Sequence, residues 1–177
     1  YAVEKNRSLL LLFNMLFSNK LSKGIMGSLP GYRKTKKLMN ALPIKDDLIR
    51  YTHWLNFFST QMQQHLFKDD LLSKDDPLKM YKKYFSEYQS KNLVEKYMYL
   101  DQKIILPDGY LEKVDKASMA VGLETRAPIL DYRFVELANS IPLKYKIKGF
   151  NGKTIIKEAM DSFLPKKILH KKKHGFA

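Results

Sequence analysis

The sequence predicts a predominantly α-helical chain, and three observations carry that expectation. Apolar residues recur at helical spacing along it, as at Leu9, Leu12, Phe13 and Leu16. No stretch alternates apolar and polar residues as a half-buried strand does, and no internal repeat of roughly 20 to 50 residues is present. With 45% hydrophobic and 12% aromatic residues among 177, the chain can bury enough apolar surface to offset the entropy of ordering one compact domain.

The elements follow in order. A first helix covers roughly residues 3–20. Its apolar run, Leu9 to Phe17, is about half of what a membrane span needs and lacks the small-residue cleavage site of a secretory signal, so it reads as a buried helix. Gly24, Gly27, Pro30 and Gly31 then mark a loop, and residues 32–41 read as a short basic helix. A second long helix is expected from Asp46 to Phe67. Asp46 and Asp47 lie at the end where carboxylates favour the helix dipole, and Leu48, Tyr51, Leu55 and Phe58 form its apolar stripe. His53 and His65 on that helix are too far apart in sequence to be two ligands of one metal on adjacent turns, and read as structural. Residues 68–76 are a charged loop. Pro77 opens a further helix running to about Ser90, with Tyr81, Tyr84, Phe85 and Tyr88 at helical spacing. Such a stripe can stack on nucleic-acid bases, but an aromatic helix face reads first as core. A helix over 92–105 should end before Pro107. Others are expected over 108–121, 131–140 and 152–163, the last closed by Pro165.

The net charge of +14 and isoelectric point near 9.7 call for an anionic explanation. Nucleic acid, an acidic membrane surface and phosphorylated small molecules all qualify, as do solvated lysines; charge alone does not choose. The absence of cysteine excludes a disulfide framework, a thiolate zinc site and a cysteine nucleophile within these residues. His170 and His174 stand four apart in HKKKH, but the three lysines between them repel a cation and no acidic ligand is near. No metal site is read here. The first residue is Tyr1, not Met, and the last motif runs into Ala177, so the chain reads as a fragment of a longer polypeptide.

The chemistry gathers after Asp101. In LPDGYLEKVDKASMAVGLETRAPILD, residues 106–131, Asp108 suits a helix start, Asp115, Lys116 and Ser118 fall within one turn, and Gly122 can end the helix. Glu124, Arg126 and Asp131 follow. Alternating charges in an otherwise apolar strip suggest a buried or half-buried ion-pair network. Residue chemistry alone favours the reading in which Asp115, Glu124, Arg126 and Asp131 only hold helices together.

That string resembles the synthetase-domain pattern of glutamine-dependent (class B) asparagine synthetases, L-P-x-D-x-L-x-K-x-D-R-x-S-M-A-x-x-x-E-x-R-x-P-x-L-D. Lys113, Asp115, Ser118, Met119, Ala120, Glu124, Arg126, Pro128, Leu130 and Asp131 carry the match. Two departures stand out. Lys116 occupies a position where arginine is usual and lacks its bidentate fork, and the single residue Gly109 separates Asp108 from the aromatic position. Further blocks agree: the apolar face of Phe134, Val135, Leu137 and Ala138; Ile141–Pro142–Leu143; Lys153–Thr154–Ile155–Ile156–Lys157–Glu158; Leu164–Pro165; and Lys173–His174–Gly175–Phe176. Residues 1 to about 95 carry no motif of the family.

The resemblance implies a mostly α-helical fragment, residues 1–177, of an α/β adenine-nucleotide α-hydrolase-like (PP-loop ATP pyrophosphatase) domain. It implies an ATP- and Mg²⁺-dependent ligase of the cytoplasm that adenylates the side-chain carboxylate of aspartate. Ammonia, supplied from glutamine by an upstream glutaminase domain of the same polypeptide, then gives asparagine, AMP and pyrophosphate. Lys153, expected at a helix N-terminus after Gly149–Phe150–Asn151–Gly152, matches the catalytic lysine that faces the phosphates; an ammonium there suits an anion. Asp115, Lys116, Glu124, Arg126, Asp131 and Arg133 are expected in the wall of the site. The family's S-G-G-x-D-S phosphate loop and G-x-D-E loop do not occur in these residues and are expected upstream, with most of the ATP and Mg²⁺ ligands. Neither a membrane nor a specific nucleic acid is an expected partner, and a homodimer is left open. Two other readings remain: a relative that amidates a different carboxylate, on a sugar or antibiotic precursor, and a basic helical nucleic-acid-binding module.

Overall fold

The computed structural model describes residues 2–17, 40–55, 60–68 and 76–171. In chain order, helices α1 (Ala2–Lys5), α2 (Arg7–Phe17), α3 (Asp47–Leu55), α4 (Thr60–Leu66), α5 (Lys79–Glu87) and α6 (Leu93–Leu100) lead into a π-helical stretch, Asp101–Leu111, and then α7 (Glu112–Met119). A 3₁₀ turn at Pro128–Leu130 precedes α8 (Tyr132–Ser140) and α9 (Leu143–Lys146). Strands β1 (Ile147–Lys148) and β2 (Asn151–Gly152), α10 (Thr154–Ala159) and α11 (Lys166–Leu169) follow. The chain divides into two compact units, Arg7–Thr125 and a second made of Tyr1–Asn6 with Arg126–Ala177.

The core of the first unit begins at α3. The Asp46 carboxylate accepts the Ile49 N–H at 2.8 Å, satisfying a donor that the helix start leaves open. Leu48 and Tyr51 then pack with Tyr97 and Leu100 of α6 in a buried cluster, flanked by Leu55, Tyr81, Tyr84, Phe85, Leu93 and Ile104. The Tyr51 and Tyr97 rings stack at 4.8 Å. Both hydroxyls are paired: Tyr97 donates to the Asp47 carbonyl at 2.6 Å, and Tyr51 to the Asp101 carboxylate. Tyr88 stacks on Tyr99, also at 4.8 Å. The aromatic stripe of α5 is therefore packing surface, as its helical spacing suggested.

Arg50 is buried at 1% exposure. It donates to the Ile44 carbonyl at 2.6 Å and to the Asp47 carboxylate, the pairing that a buried guanidinium requires. Arg7 donates to the Leu42 and Ile44 carbonyls, each at 3.0 Å. Two arginines thus hold the turn before α3.

Several elements differ from expectation. The helix predicted over 3–20 is divided by a turn at Asn6. Its Leu9 and Leu12 are 63% and 60% exposed rather than buried, because no described residue packs over that face. The long helix over 46–67 is present as α3 and α4, with residues 56–59 outside the described set. The glycine-rich loop and most of the short basic helix, residues 18–39, also lie outside it, as do 69–75 and 172–177. Pro77 does not open α5 directly. The Asp76 carboxylate accepts the Leu78 N–H at 2.9 Å and the Lys82 ammonium at 2.7 Å, and the helix starts at Lys79. Those contacts hold the Asp76 carboxyl below its ordinary range, the Lys82 hydrogen bond first.

Pro107 does not end a helix either. It lies inside the π-helical stretch Asp101–Leu111, so the path from Leu93 to Met119 is continuous. Proline lacks an N–H and clashes with the carbonyl four residues earlier in an α-helix. A wider turn spreads that contact and absorbs the missing donor. The path ends at Gly122, as its sequence suggested. Gly122 has φ +67, its N–H reaches the Met119 carbonyl, and the Leu123 N–H reaches the Ser118 carbonyl, both at 3.0 Å. That pair of bonds is a Schellman cap.

In the second unit Asp131 caps α8 by accepting the Arg133 N–H. The helix expected over 152–163 is only Thr154–Ala159, and the chain then folds through turns at Met160 to Leu164. A two-stranded antiparallel ladder, with Ile147 opposite Gly152 and Lys148 opposite Asn151, was not predicted. Two residues a side are too few to show alternation. The turn between the strands places Gly149 at φ +58, where glycine carries no steric penalty. From α1 and the turn after it, the Lys5 ammonium donates to the Ile147 carbonyl at 2.6 Å and the Asn6 amide to the Gly149 carbonyl at 3.2 Å.

Candidate functional site

The seven residues expected at the site divide between the two units: Asp115, Lys116 and Glu124 belong to the first, and Arg126, Asp131, Arg133 and Lys153 to the second. Within the first, Asp115 and Lys116 lie on α7, all of whose residues but Ser118 are exposed. The Lys116 ammonium pairs with Glu112 one turn back, a contact worth a few tenths of a kcal/mol at most on an exposed face. Glu124 and Arg126 stand in the extended stretch between Gly122 and Pro128, both exposed. Asp115, Glu124 and Arg126 are thus exposed rather than half-buried as expected, while Asp131 is half-buried.

In the second unit the charges are organised. One Asp131 oxygen accepts the Arg133 backbone N–H at 3.0 Å and its Nε at 2.9 Å, while the other accepts Nη2 at 2.9 Å. Asp131 is therefore both the helix cap and one side of a bidentate clamp. The arginine side chain, then the backbone N–H, hold the Asp131 carboxyl below its ordinary range, and the same carboxylate raises the Arg133 guanidinium. Both groups are solvent-accessible, so the clamp fixes orientation more than it stabilises.

Lys153 is exposed and immediately precedes α10. Its backbone is left-handed, φ 59 and ψ 33, and it is the one non-glycine residue with positive φ among the described residues. Such a conformation costs a side-chain-bearing residue on the order of 1–2 kcal/mol. The helix behind it has six residues, so its dipole is weaker than a long helix would give. What the structure adds is the strained backbone at the lysine itself.

Sequence reasoning missed what surrounds this lysine. The Thr154 hydroxyl donates to the Tyr145 carbonyl, and Lys148 pairs with Glu158 at 3.6 Å. Beside them lies a cleft of about 480 Å³ lined by Lys5, Lys144, Lys148 and Glu158, with Tyr145 and Thr154. Three ammonium groups to one carboxylate give it a cationic balance. The turn signal at Gly149 was legible; the side-chain ties across the hairpin were not, because their partners are nine and ten residues apart. Among the described residues no group of three or more His, Asp or Glu side chains could hold a metal ion. They do not by themselves form a Mg²⁺ cage.

Comparison with known proteins matches residues 14–177 to the family model described as asparagine synthase. The chain belongs to that family. It is 32% identical to asparagine synthetase [glutamine-hydrolyzing] 1 of Bacillus subtilis over 136 residues, 76% of this chain and 21% of the relative. A putative asparagine synthetase [glutamine-hydrolyzing] of Mycobacterium tuberculosis is 27% identical over 84% of this chain and 22% of its own length, and the enzyme so named from Triphysaria versicolor is 40% identical over 37% and 12%. The chain thus spans about a fifth of the length of the first two. No solved structure matches it. Among the described residues no helix is long and apolar enough to cross a membrane.

Proposed function

We propose that this chain is the C-terminal helical part of the synthetase domain of a glutamine-dependent asparagine synthetase, a ligase of asparagine biosynthesis. The domain would have the adenine-nucleotide α-hydrolase-like fold. Membership of the asparagine synthase family supports the reading, and the left-handed Lys153 at the head of the Lys153–Thr154–Ile155–Ile156–Lys157–Glu158 motif carries it furthest.

In the proposed reaction an oxygen of the aspartate side-chain carboxylate attacks the α-phosphorus of ATP. The bond to the β-phosphate oxygen breaks, and pyrophosphate leaves with that electron pair. Ammonia then attacks the acyl carbon of the adenylate, AMP departs, and the nitrogen loses a proton to give the amide. The obstacle is charge, because a carboxylate must approach a polyphosphate. A cation aimed at the charge growing on the departing pyrophosphate lowers the barrier more than one that binds substrate and transition state alike. Lys153 supplies that cation, held by a backbone constrained on both sides. The Asp131–Arg133 clamp fixes one edge of the wall, with Asp115, Lys116, Glu124 and Arg126 as its further polar residues. Most of the ATP and Mg²⁺ ligands and the glutaminase partner fall to residues beyond this chain, in a cytoplasmic enzyme.

The test is aspartate-dependent pyrophosphate release by the full-length protein, with ATP, Mg²⁺ and ammonia, compared with its Lys153→Ala variant. A collapse on the order of 10²-fold is expected. An unchanged rate would remove Lys153 from the mechanism. A folded protein that releases no pyrophosphate with aspartate, but does with another carboxylate, would move it to a related amidating enzyme.

A further inference from the structure

The strain at Lys153 has a local cause. β2 ends at Gly152, paired with Ile147, and α10 begins at Thr154, whose hydroxyl is tied to the Tyr145 carbonyl nine residues back. The segment between Tyr145 and Thr154 is therefore closed twice, by the strand ladder and by this hydrogen bond at its neck. Lys153 is the single residue between the two closures. It must turn the chain from extended to helical in one step, and it does so left-handed, with no hydrogen bond from its own side chain to the helix end.

A residue suited to that conformation stands next door and is not used. Gly152 could take positive φ without penalty, yet among the described residues positive φ falls on Gly122, Gly149 and Lys153. Nothing lies within 4 Å of where a Cβ on Gly152 would be, so crowding there does not force the arrangement. The Lys148–Glu158 pair, 76% and 65% exposed at 3.6 Å, is too solvated to impose it.

We propose that Thr154 is a positioning residue for the lysine: its hydroxyl bond to Tyr145 closes the hairpin neck, holds Lys153 left-handed, and thereby aims its ammonium. This rests on the reading of Lys153 as the phosphate-facing cation. Strain concentrated at a reacting group, and maintained by the structure around it, is a recurrent form of preorganisation.

The experiment uses the full-length protein and five variants: Thr154→Val, Thr154→Ser, Lys153→Ala, Lys153→Ala/Thr154→Val and Lys153→Gly. Valine keeps the shape of threonine and removes the hydroxyl. One net hydrogen bond is worth roughly a fivefold shift between conformers (about 1 kcal/mol). Thr154→Val should therefore lower kcat for pyrophosphate release by roughly fivefold with little change in the KM for ATP, and Thr154→Ser should restore it. On the Lys153→Ala background the valine should cost nothing further, because no ammonium remains to aim.

Equal rates for threonine and valine, a serine variant as slow as valine, or losses that multiply in the double variant would each overturn the proposal. The two layers separate cleanly. A collapse in Lys153→Ala with full activity in Thr154→Val sinks only the positioning role, whereas full activity in Lys153→Ala sinks the reading of the lysine itself. Lys153→Gly tests the strain without using activity: relief of a left-handed side chain should raise the local opening free energy, read by amide hydrogen exchange across Thr154–Ala159 as roughly fivefold slower exchange, by about 1 kcal/mol, and no rise would show that the backbone there is not under tension.

Discussion

Replacing Arg50 by methionine removes a buried charge while roughly keeping volume, and the structure sets the expected cost. The guanidinium is 1% exposed. It donates at 2.6 Å to the Ile44 carbonyl and pairs with Asp47, whose side chain is 45% exposed. A hydrogen bond from a charged donor is worth about 1.5–3 kcal/mol, but a half-solvated ion pair adds only about 0–1 kcal/mol. Part of the loss is offset because no guanidinium need then be taken out of water. The Ile44 carbonyl is not orphaned, since Arg7 still donates to it at 3.0 Å. The expected loss is therefore about 2 kcal/mol, below the roughly 3–5 kcal/mol of stranding an unpaired buried charge. Because the two arginines share one acceptor, Arg7→Met combined with Arg50→Met should cost about 1 kcal/mol more than the sum of the singles, the price of an unsatisfied, partly buried carbonyl. Hydrogen exchange of the amides in Asp47–Leu55 of the full-length protein measures the local opening free energy directly. A single-variant loss under about 0.5 kcal/mol, or strict additivity of the pair, would refute the reasoning.

Three further outcomes follow from the packing and the charges. Leu100 is fully buried against Leu48, Tyr51 and Tyr97, so Leu100→Ala should cost about 2–5 kcal/mol; Val121→Ala, at 81% exposure, should stay within about 0.5 kcal/mol, both read by urea unfolding of the same protein. Gly122→Ala meets no atom within 4 Å but must hold φ +67, so about 1 kcal/mol of pure backbone strain is expected from the same measurement, and Gly122→Asn should cost less. The Asp131 carboxyl is depressed in the folded state, so the clamp's contribution is fully present above the unfolded carboxyl value of about 3.9 and is lost as pH falls through the folded value below it. Carboxyl ¹³C titration should show Asp131 moving up toward that ordinary value in Arg133→Gln, and an unmoved titration would remove the arginine as the cause.

Much of this protein was legible in its sequence. Leu48, Tyr51, Tyr81, Tyr84 and Phe85 fell at helical spacing, and they form or flank the core because side chains three and four apart share a helix face whatever the tertiary context. Asp46 and Gly122 were readable as helix ends because each satisfies an obligation local to one helix terminus, whereas Asp131 was read only as a charge of the site and its capping of α8 came from the structure. The motif around Lys153 was legible for the same reason, as a short ordered string.

Tertiary structure decided the rest. Pro107 continues a helical path because a wider turn accommodates it, which propensity alone does not foresee. Leu9 and Leu12 are exposed because burial belongs to whatever packs on a face, and periodicity names only the face. Asp115, Glu124 and Arg126 are exposed and Asp131 is half-buried against Arg133, since a charge alternation in sequence fixes spacing and not burial. The left-handed backbone of Lys153 follows from a ladder and a threonine hydroxyl closing on residues up to nine positions away. Local physics sets periods and caps; loop closure, the step that brings Tyr145 to Thr154, is a property of the folded chain, and it is where the lysine acquires its geometry.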